Sequence, residues 1–332
     1  MSNALVERES GVKSMRRTRR VAAETATWRR VASLFEKPGR GGTAAGVREV
    51  MEPVSEPRSA GKPRALTAAL PQASLDVTIV VPYYNPGPRL RTTVEHMVRV
   101  LDASGMTFEI ITVSDGSTDG SHFTLEGFPG SVVRQVVFDR NTGKGHALRV
   151  GLGMGRGRYL GFIDADGDIS PELLAPFVSI MQTDRPDIII GSKRHPESSV
   201  HYPPLRRLYS WGYQQLIHLL FRLDVKDTQV GIKLVDRAVI SDVLPLLRES
   251  RFALDLELLV LARRLGYVRI VEAPVRIEER FGSTISLTAV WRLLVDTLAL
   301  FVRFSVRKEY EPAIRAQEAQ RSGSGAGTGQ PA

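Results

Sequence analysis

Val77-Thr78-Ile79-Val80-Val81 is a short, largely β-branched run without polar alternation, the pattern of a strand buried on both faces of a parallel sheet. Before it the chain is dominated by Pro, Gly, Ala and Ser, so an ordered body is expected to begin near Leu75. After it, the turn Asn85-Pro86-Gly87-Pro88 leads into residues 90–101, where Leu90, Val94, Met97, Val98 and Leu101 recur at helical spacing. Residues 108–113 read as the next strand. The alternation continues with strand 132–138, helix 144–154, strand 159–163, helix 171–181 and strand 188–190. A β-α-β-α series with short connections predicts an α/β fold, a mainly parallel sheet with helices on both faces, and ligands at the carboxyl ends of the strands. Beyond Arg194 longer amphipathic helices are expected at 205–223 and 285–306, around a helical stretch at 254–265 and a strand at 268–275. This divides the chain into a disordered basic N-terminal arm at 1–74, one domain at 75–310 and a disordered C-terminal tail at 311–332.

A length of 332 residues with 42% hydrophobic content is enough for a large core. The absence of cysteine excludes a disulfide framework, a thiolate metal site and a cysteine nucleophile. The first ten residues have no apolar signal core, and no window offers the ~18 uncharged apolar residues of a spanning helix. Neither a signal peptide nor a transmembrane helix is therefore expected. The net charge is +9, and residues 1–75 hold 14 Lys/Arg against 7 Asp/Glu, so most of the excess lies in the arm. Arg16, Arg17, Arg19, Arg20, Arg29 and Arg30 suit an anionic membrane surface, with a solvated tail as the plain alternative. Nucleic acid is disfavoured because no aromatic interleaving or binding module accompanies the charge.

Three strand ends carry chemistry. Pro82-Tyr83-Tyr84-Asn85 follows the first strand, and Ser114-Asp115-Gly116-Ser117-Thr118-Asp119 follows the second. An acid followed by Gly and Ser accepts hydrogen bonds from a base or ribose while the backbone turns tightly, although Asp-Gly-Ser alone is an ordinary turn. Asp164-Ala165-Asp166-Gly167-Asp168 follows the strand Tyr159-Leu160-Gly161-Phe162-Ile163. Carboxylates at alternate positions of a buried strand end repel one another unless a cation sits among them. An all-oxygen set without Cys or nearby His selects Mg2+ or Mn2+. A calcium loop is excluded, since the required Glu is missing and a strand precedes the run. Asn141-Thr142-Gly143-Lys144-Gly145-His146-Ala147 opens a helix, with glycines for close backbone approach and Lys144 for a phosphate. Its spacing is not that of a P-loop, and a plain helix start is the alternative.

Together these motifs resemble the inverting GT-A glycosyltransferases of family 2, in particular the polyprenyl- or dolichyl-phosphate sugar synthases, over residues 77–310. Gly191-Ser192-Lys193, Asp227-Thr228-Gln229-Val230-Gly231-Ile232-Lys233-Leu234 and Phe252-Ala253-Leu254-Asp255-Leu256-Glu257-Leu258-Leu259 are similar to the dolichyl-phosphate glucosyltransferase branch. The resemblance implies a GT-A fold and a divalent-metal-dependent hexosyltransferase. Its donor would be a nucleotide diphosphate sugar, UDP-glucose favoured over GDP-mannose, and its acceptor a polyprenyl or dolichyl phosphate. It puts Pro82, Tyr84, Asn85 and Asp115 at the nucleotide, Lys144 at the phosphates, and Asp164, Asp166 and Asp168 on the ion. Asp227, Lys193 and Arg194 are the candidate catalytic set, with Arg206 and Arg207 as further cations and Gln229 and Lys233 for sugar or phosphate. Asp255 and Glu257 are either site residues or carboxylates bracing the fold, and Gly282-Ser283-Thr284 lacks the Lys often seen there in the family. Location on the cytoplasmic face of a membrane is expected, with the two amphipathic helices at the interface or packed on the protein, in a homodimer or against a membrane-protein partner. The rivals are a family 2 transferase with a hydroxyl acceptor and a non-catalytic sugar-nucleotide-binding protein.

Overall fold

The computed structural model describes residues 69–198, 204–251, 253–277 and 287–324. β1 (Leu75–Tyr83) leads through α1 (Arg89–Ala103) to β2 (Phe108–Ser114). β3 (Val133–Val137), α2 (Lys144–Met154), β4 (Gly157–Ile163), α3 (Leu174–Thr183) and β5 (Ile188–Ser192) continue the alternation that the periodicity implies. The second half comprises α4 (Pro204–Phe221), β6 (Ile232–Asp236), α5 (Arg237–Val243), α6 (Leu254–Arg264), β7 (Ile270–Pro274), α7 (Leu287–Phe301) and α8 (Glu311–Ser324). A π-helical turn, Val302–Val306, prolongs α7.

The strands form one sheet in the order β3-β2-β1-β4-β6-β5-β7. β6 runs antiparallel to both β4 and β5, while the other pairings are parallel. Tyr83 pairs with Ser114 and Val80 with Phe162, so the residues leaving β1, β2 and β4 emerge at one rim. Val80, Ile111, Val113, Leu160 and Phe162 face a core shared with Leu148 and Leu152 of α2 and most of α6. α1 and α3, in contact with each other, cover the sheet's other face, where Leu90, Val94, Met97 and Leu101 are buried. Beneath the rim, the fully buried Glu109 ties four strands together. It accepts hydrogen bonds from Thr78 Oγ1 of β1 at 2.9 Å, from Arg134 of β3 at 2.9 Å and from the Arg156 guanidinium and backbone N–H just ahead of β4.

Two differences from the sequence reading have physical causes. Residues 232–236 were quoted only as a motif, yet they form β6, because the charge that makes Lys233 look exposed is neutralised within the core. The segment from Glu311, expected to be flexible, is helical to Ser324. Tyr310 stacks on Phe304 with centroids 4.1 Å apart, Ile314 is buried, and both belong to the main core, so the chain is held where composition alone suggested a tail. Residues 1–68 and 325–332, and with them most of the basic arm, lie outside the described residues, as does Gly282-Ser283-Thr284. No helix among the described residues is long and apolar enough to cross a membrane.

Candidate active site

The rim at the carboxyl ends of β1, β2 and β4 encloses a cleft of about 480 Å3. Its lining brings together Pro82, Tyr84, Asn85, Asp115, Lys144, Asp164 and Asp166, all singled out in the sequence, along with Arg89. Arg89 was missed; its signal was a cation at the first position of a helix directly after Pro86-Gly87-Pro88.

The loops are cross-braced by their own side chains. Asn85 accepts a hydrogen bond from Thr118 N–H at 2.8 Å through Oδ1, and its own N–H donates to Ser117 Oγ. Asp119 accepts from the N–H groups of Gly87 and Ser121. Asp115, nearly buried, accepts from the N–H and hydroxyl of Thr142 and from the N–H of Gly143, fastening the loop before α2 to the β2 end. Gly143 has φ +104, and an added Cβ there would meet the Ser250 carbonyl at 2.2 Å. The close backbone approach that the glycines permit is thus made by the protein's own 250–251 segment.

Lys144 reaches Asp164 Oδ1 at 2.5 Å. Burial pushes the Asp164 carboxyl up against the opposing pull of Lys144. The same burial works to lower the Lys144 ammonium, but the carboxylates of Asp164, Asp255 and Asp166 outweigh it, so the lysine stays protonated. Asp164 is also fixed from behind. Its N–H donates to the Gly231 carbonyl at 2.9 Å, and a Cβ on Gly231 would lie 2.1 Å from Asp164 Oδ2. Asp166 is raised by burial in spite of the hydrogen bond from Asp168 N–H and the nearby Lys144 and Lys193 ammoniums.

The three aspartates do not converge. The chain turns at Gly167, with φ +76, so the alternate positions of an extended strand are lost, and Asp168 is exposed and absent from the cleft lining. Among the described residues no group of three or more His, Cys, Asp or Glu is arranged to hold an ion. Asp164 and Asp166 remain as a pair of hard oxygen donors at the cleft. Two carboxylates suit Mg2+ or Mn2+, which usually keep waters and take further oxygens from a bound phosphate.

A second group lies at the end of β5. Asp227 accepts from the backbone N–H of Lys193 at 3.2 Å and of Gln229 at 3.3 Å, and burial raises its carboxyl against the pull of Lys193. Arg194 follows, half-buried. Next to Asp227, Thr228 Oγ1 and Gln229 Nε2 are buried with no hydrogen-bond partner among the described residues, as expected of groups that await a polar ligand. The side chains of Arg206 and Arg207, in the first turn of α4, lie outside the described residues.

Lys233 is elsewhere than the sequence reading put it. Its Nζ is fully buried in the core, 2.6 Å from Asp255 and 2.8 Å from the Val230 carbonyl, and it sits over the Phe162 ring. It braces β6 against α6 and does not line the cleft. Glu257 is likewise structural, accepting from the backbone N–H groups of Arg248 and Glu249 and from the Tyr310 hydroxyl.

A mainly parallel sheet with one reversed strand, flanked by helices and carrying this acidic cleft on its rim, has the GT-A architecture of nucleotide-sugar-dependent transferases. The chain belongs to glycosyl transferase family 2, whose model matches residues 78–244. Dolichyl-phosphate beta-glucosyltransferase of Drosophila melanogaster is 33% identical over 252 residues, covering 70% of this chain and 76% of the relative. The enzyme of the same name from Saccharomyces cerevisiae is 31% identical, covering 64% of this chain and 69% of its own. In fold, the chain is similar to glucosyl-3-phosphoglycerate synthase of Mycobacterium tuberculosis, solved with Mn2+, UDP and glucosyl-3-phosphoglycerate. That likeness has a TM-score of 0.53 and 18% identity, over 69% of this chain and 79% of that one.

Proposed function

We propose that this glycosyltransferase moves a hexose from a UDP-sugar, with glucose favoured, onto a polyprenyl or dolichyl phosphate at a membrane surface. The observation that carries the reading is the similarity to dolichyl-phosphate glucosyltransferases over about two thirds of the chain, together with the family match over 78–244, the stretch that holds the cleft residues and Asp227. Asp115, Asn85 and Tyr84 face the nucleotide end of the cleft, and Arg89 and Lys144 supply positive charge for the diphosphate. Asp164 and Asp166 would hold Mg2+ or Mn2+, which when bound offsets charge developing on the departing nucleoside diphosphate.

The acceptor chemistry explains why no strong base is needed. A phosphate monoester has a second pKa of about 6 and is largely dianionic at neutral pH, so its oxygen is already a nucleophile. What it needs is alignment opposite the leaving group, supplied by the Lys193 and Arg194 cations. Asp227 holds that segment through the Lys193 N–H and leaves Thr228 and Gln229 to meet sugar hydroxyls. Displacement from the far side inverts the anomeric carbon. Peripheral attachment through the basic arm and the amphipathic helices α4 and α7 keeps the enzyme beside its lipid.

The test is incubation with a panel of labelled nucleotide sugars and polyprenyl phosphate. Label from UDP-glucose entering the organic phase is expected. Label that stays aqueous with every donor, but moves onto a soluble hydroxyl compound, would replace this acceptor by a hydroxyl one.

A further inference from the structure

A second surface of the molecule takes no part in this chemistry. α4 and α7 lie side by side, joined by the Tyr213 hydroxyl and Thr297 Oγ1 at 2.9 Å and by Phe221 set edge-on to Phe301 and Phe304. On α7, Trp291, Val295, Leu298 and Val302 recur along one stripe, which Val306 continues, and Trp211 and Leu219 are exposed on α4. Trp291 is 67% exposed and Leu219 77%. The other exposed positions from 291 to 307 are Arg292, Ala299 and Arg307, and the one acid of that span, Asp296, is half-buried beside the apolar stripe.

Where α4 ends there is a cavity of about 450 Å3. Arg222, Arg263 and Arg264 line it with Phe221, Val260 and Ser305, and among the described residues no Asp or Glu does. Arg222 stands at φ +54, a left-handed position that glycine adopts more readily. Arginines near helix ends also offset the helix dipole, which accounts for their sign but not for three of them lining one cavity. α6 begins beside the Lys233–Asp255 pair and ends at Arg264, so about 15 Å of helix separates the cavity from the neighbourhood of the cleft.

We propose that this cavity is a head-group site for an anionic phospholipid, occupied while the stripe on α7 lies in the bilayer interface. The inference rests on the membrane-surface reading above and adds the specific seat. Guanidinium groups pair bidentately with phosphate oxygens, and the apolar stripe beside them meets the acyl boundary. The phosphate recognised is one anchored in a bilayer, with chains beside it, and not a free ion.

The experiment is sedimentation of the full-length protein with vesicles of phosphatidylcholine alone or mixed with phosphatidylglycerol. Exchanging Arg222→Gln, Arg263→Gln and Arg264→Gln together is expected to weaken binding to the mixed vesicles about 100-fold, as three basic residues near an anionic surface imply, with little change on neutral ones. Leu298→Ser with Trp291→Ser should weaken binding to both. If the triple variant melts early, Arg263→Gln alone, on an exposed side chain, should still lower the preference for anionic vesicles. Wild-type binding by both arginine variants would overturn the proposal, as would competition by inorganic phosphate, which would mark a site for a free anion. Sugar transfer to polyprenyl phosphate in detergent is expected to be unchanged in the triple variant. Its loss there would make the cavity part of the acceptor site and would likewise overturn the proposal, whereas inactivity of the wild type with that acceptor would count against the proposed function alone.

Discussion

Asp164 is held from two sides, by Lys144 in front and by the backbone of Gly231 behind. Gly231→Ala would drive a methyl into its carboxylate, since the added Cβ would lie 2.1 Å from Oδ2. Misplacing a reacting group by about 1 Å costs on the order of 100-fold, so kcat/KM should drop by roughly that factor while the circular dichroism spectrum stays as in the wild type. Lys144 pairs with Asp164 Oδ1, an oxygen that a divalent ion would compete for. Lys144→Gln is expected to tighten Mn2+ binding in the absence of nucleotide and to weaken UDP binding about tenfold, a pair of opposite shifts that calorimetric titration of each ligand checks. Much of this site was legible as strand-end motifs: Asp115, Lys144, Asp164 and Asp166 meet because parallel strands end at a common height. Asp168 stands outside the cleft lining because alternation presumes extended backbone, and Gly167 breaks it.

At the level of elements, Glu109 shows how the four strands under the cleft are tied. Burial works to raise its carboxyl, but Arg156, Arg134 and Thr78 outweigh that and hold it below the ordinary value of 4.5. A depressed folded pKa means stability that is present above the ordinary value and lost as pH falls through the lower, folded one. Glu109→Gln should cost about 1–3 kcal/mol at neutral pH, since the two guanidiniums that lose their partner are 30% and 39% exposed, and should flatten the decline of melting temperature with acid expected of the wild type. Chemical denaturation across pH measures both. Elements with strong periodicity were readable, down to α1 and α2. β6 was not, because a lysine in a strand reads as exposed until its partner Asp255, two elements away, is seen to pair with it. α8 escaped for a similar reason: what holds it is the contact of Tyr310 and Ile314 with a core built by distant segments.

Over the whole molecule, charge and shape are divided unevenly. Residues 1–75 carry 14 of the chain's 45 Lys/Arg against 7 of its 36 Asp/Glu, leaving the remainder close to neutral. Deleting residues 1–68 is expected to reduce the salt sensitivity of vesicle binding, because 14 Lys/Arg are then lost against 7 Asp/Glu, while leaving the residual attachment of the apolar face intact. Sedimentation at low and high ionic strength reads this directly. The reversed strand has its own consequence for the working rim. Six strands deliver side chains there as the chain departs, whereas β6 does so as the chain arrives, so Asp227 and Gln229 hang on a lead-in whose length no sheet register dictates. Ahead of Gly231, which is pinned to Asp164, such a lead-in tolerates insertion and exchange while Asp115 and Asp164 stay where they are. A lineage built on this plan is free to change what meets the sugar without relearning how to hold the nucleotide.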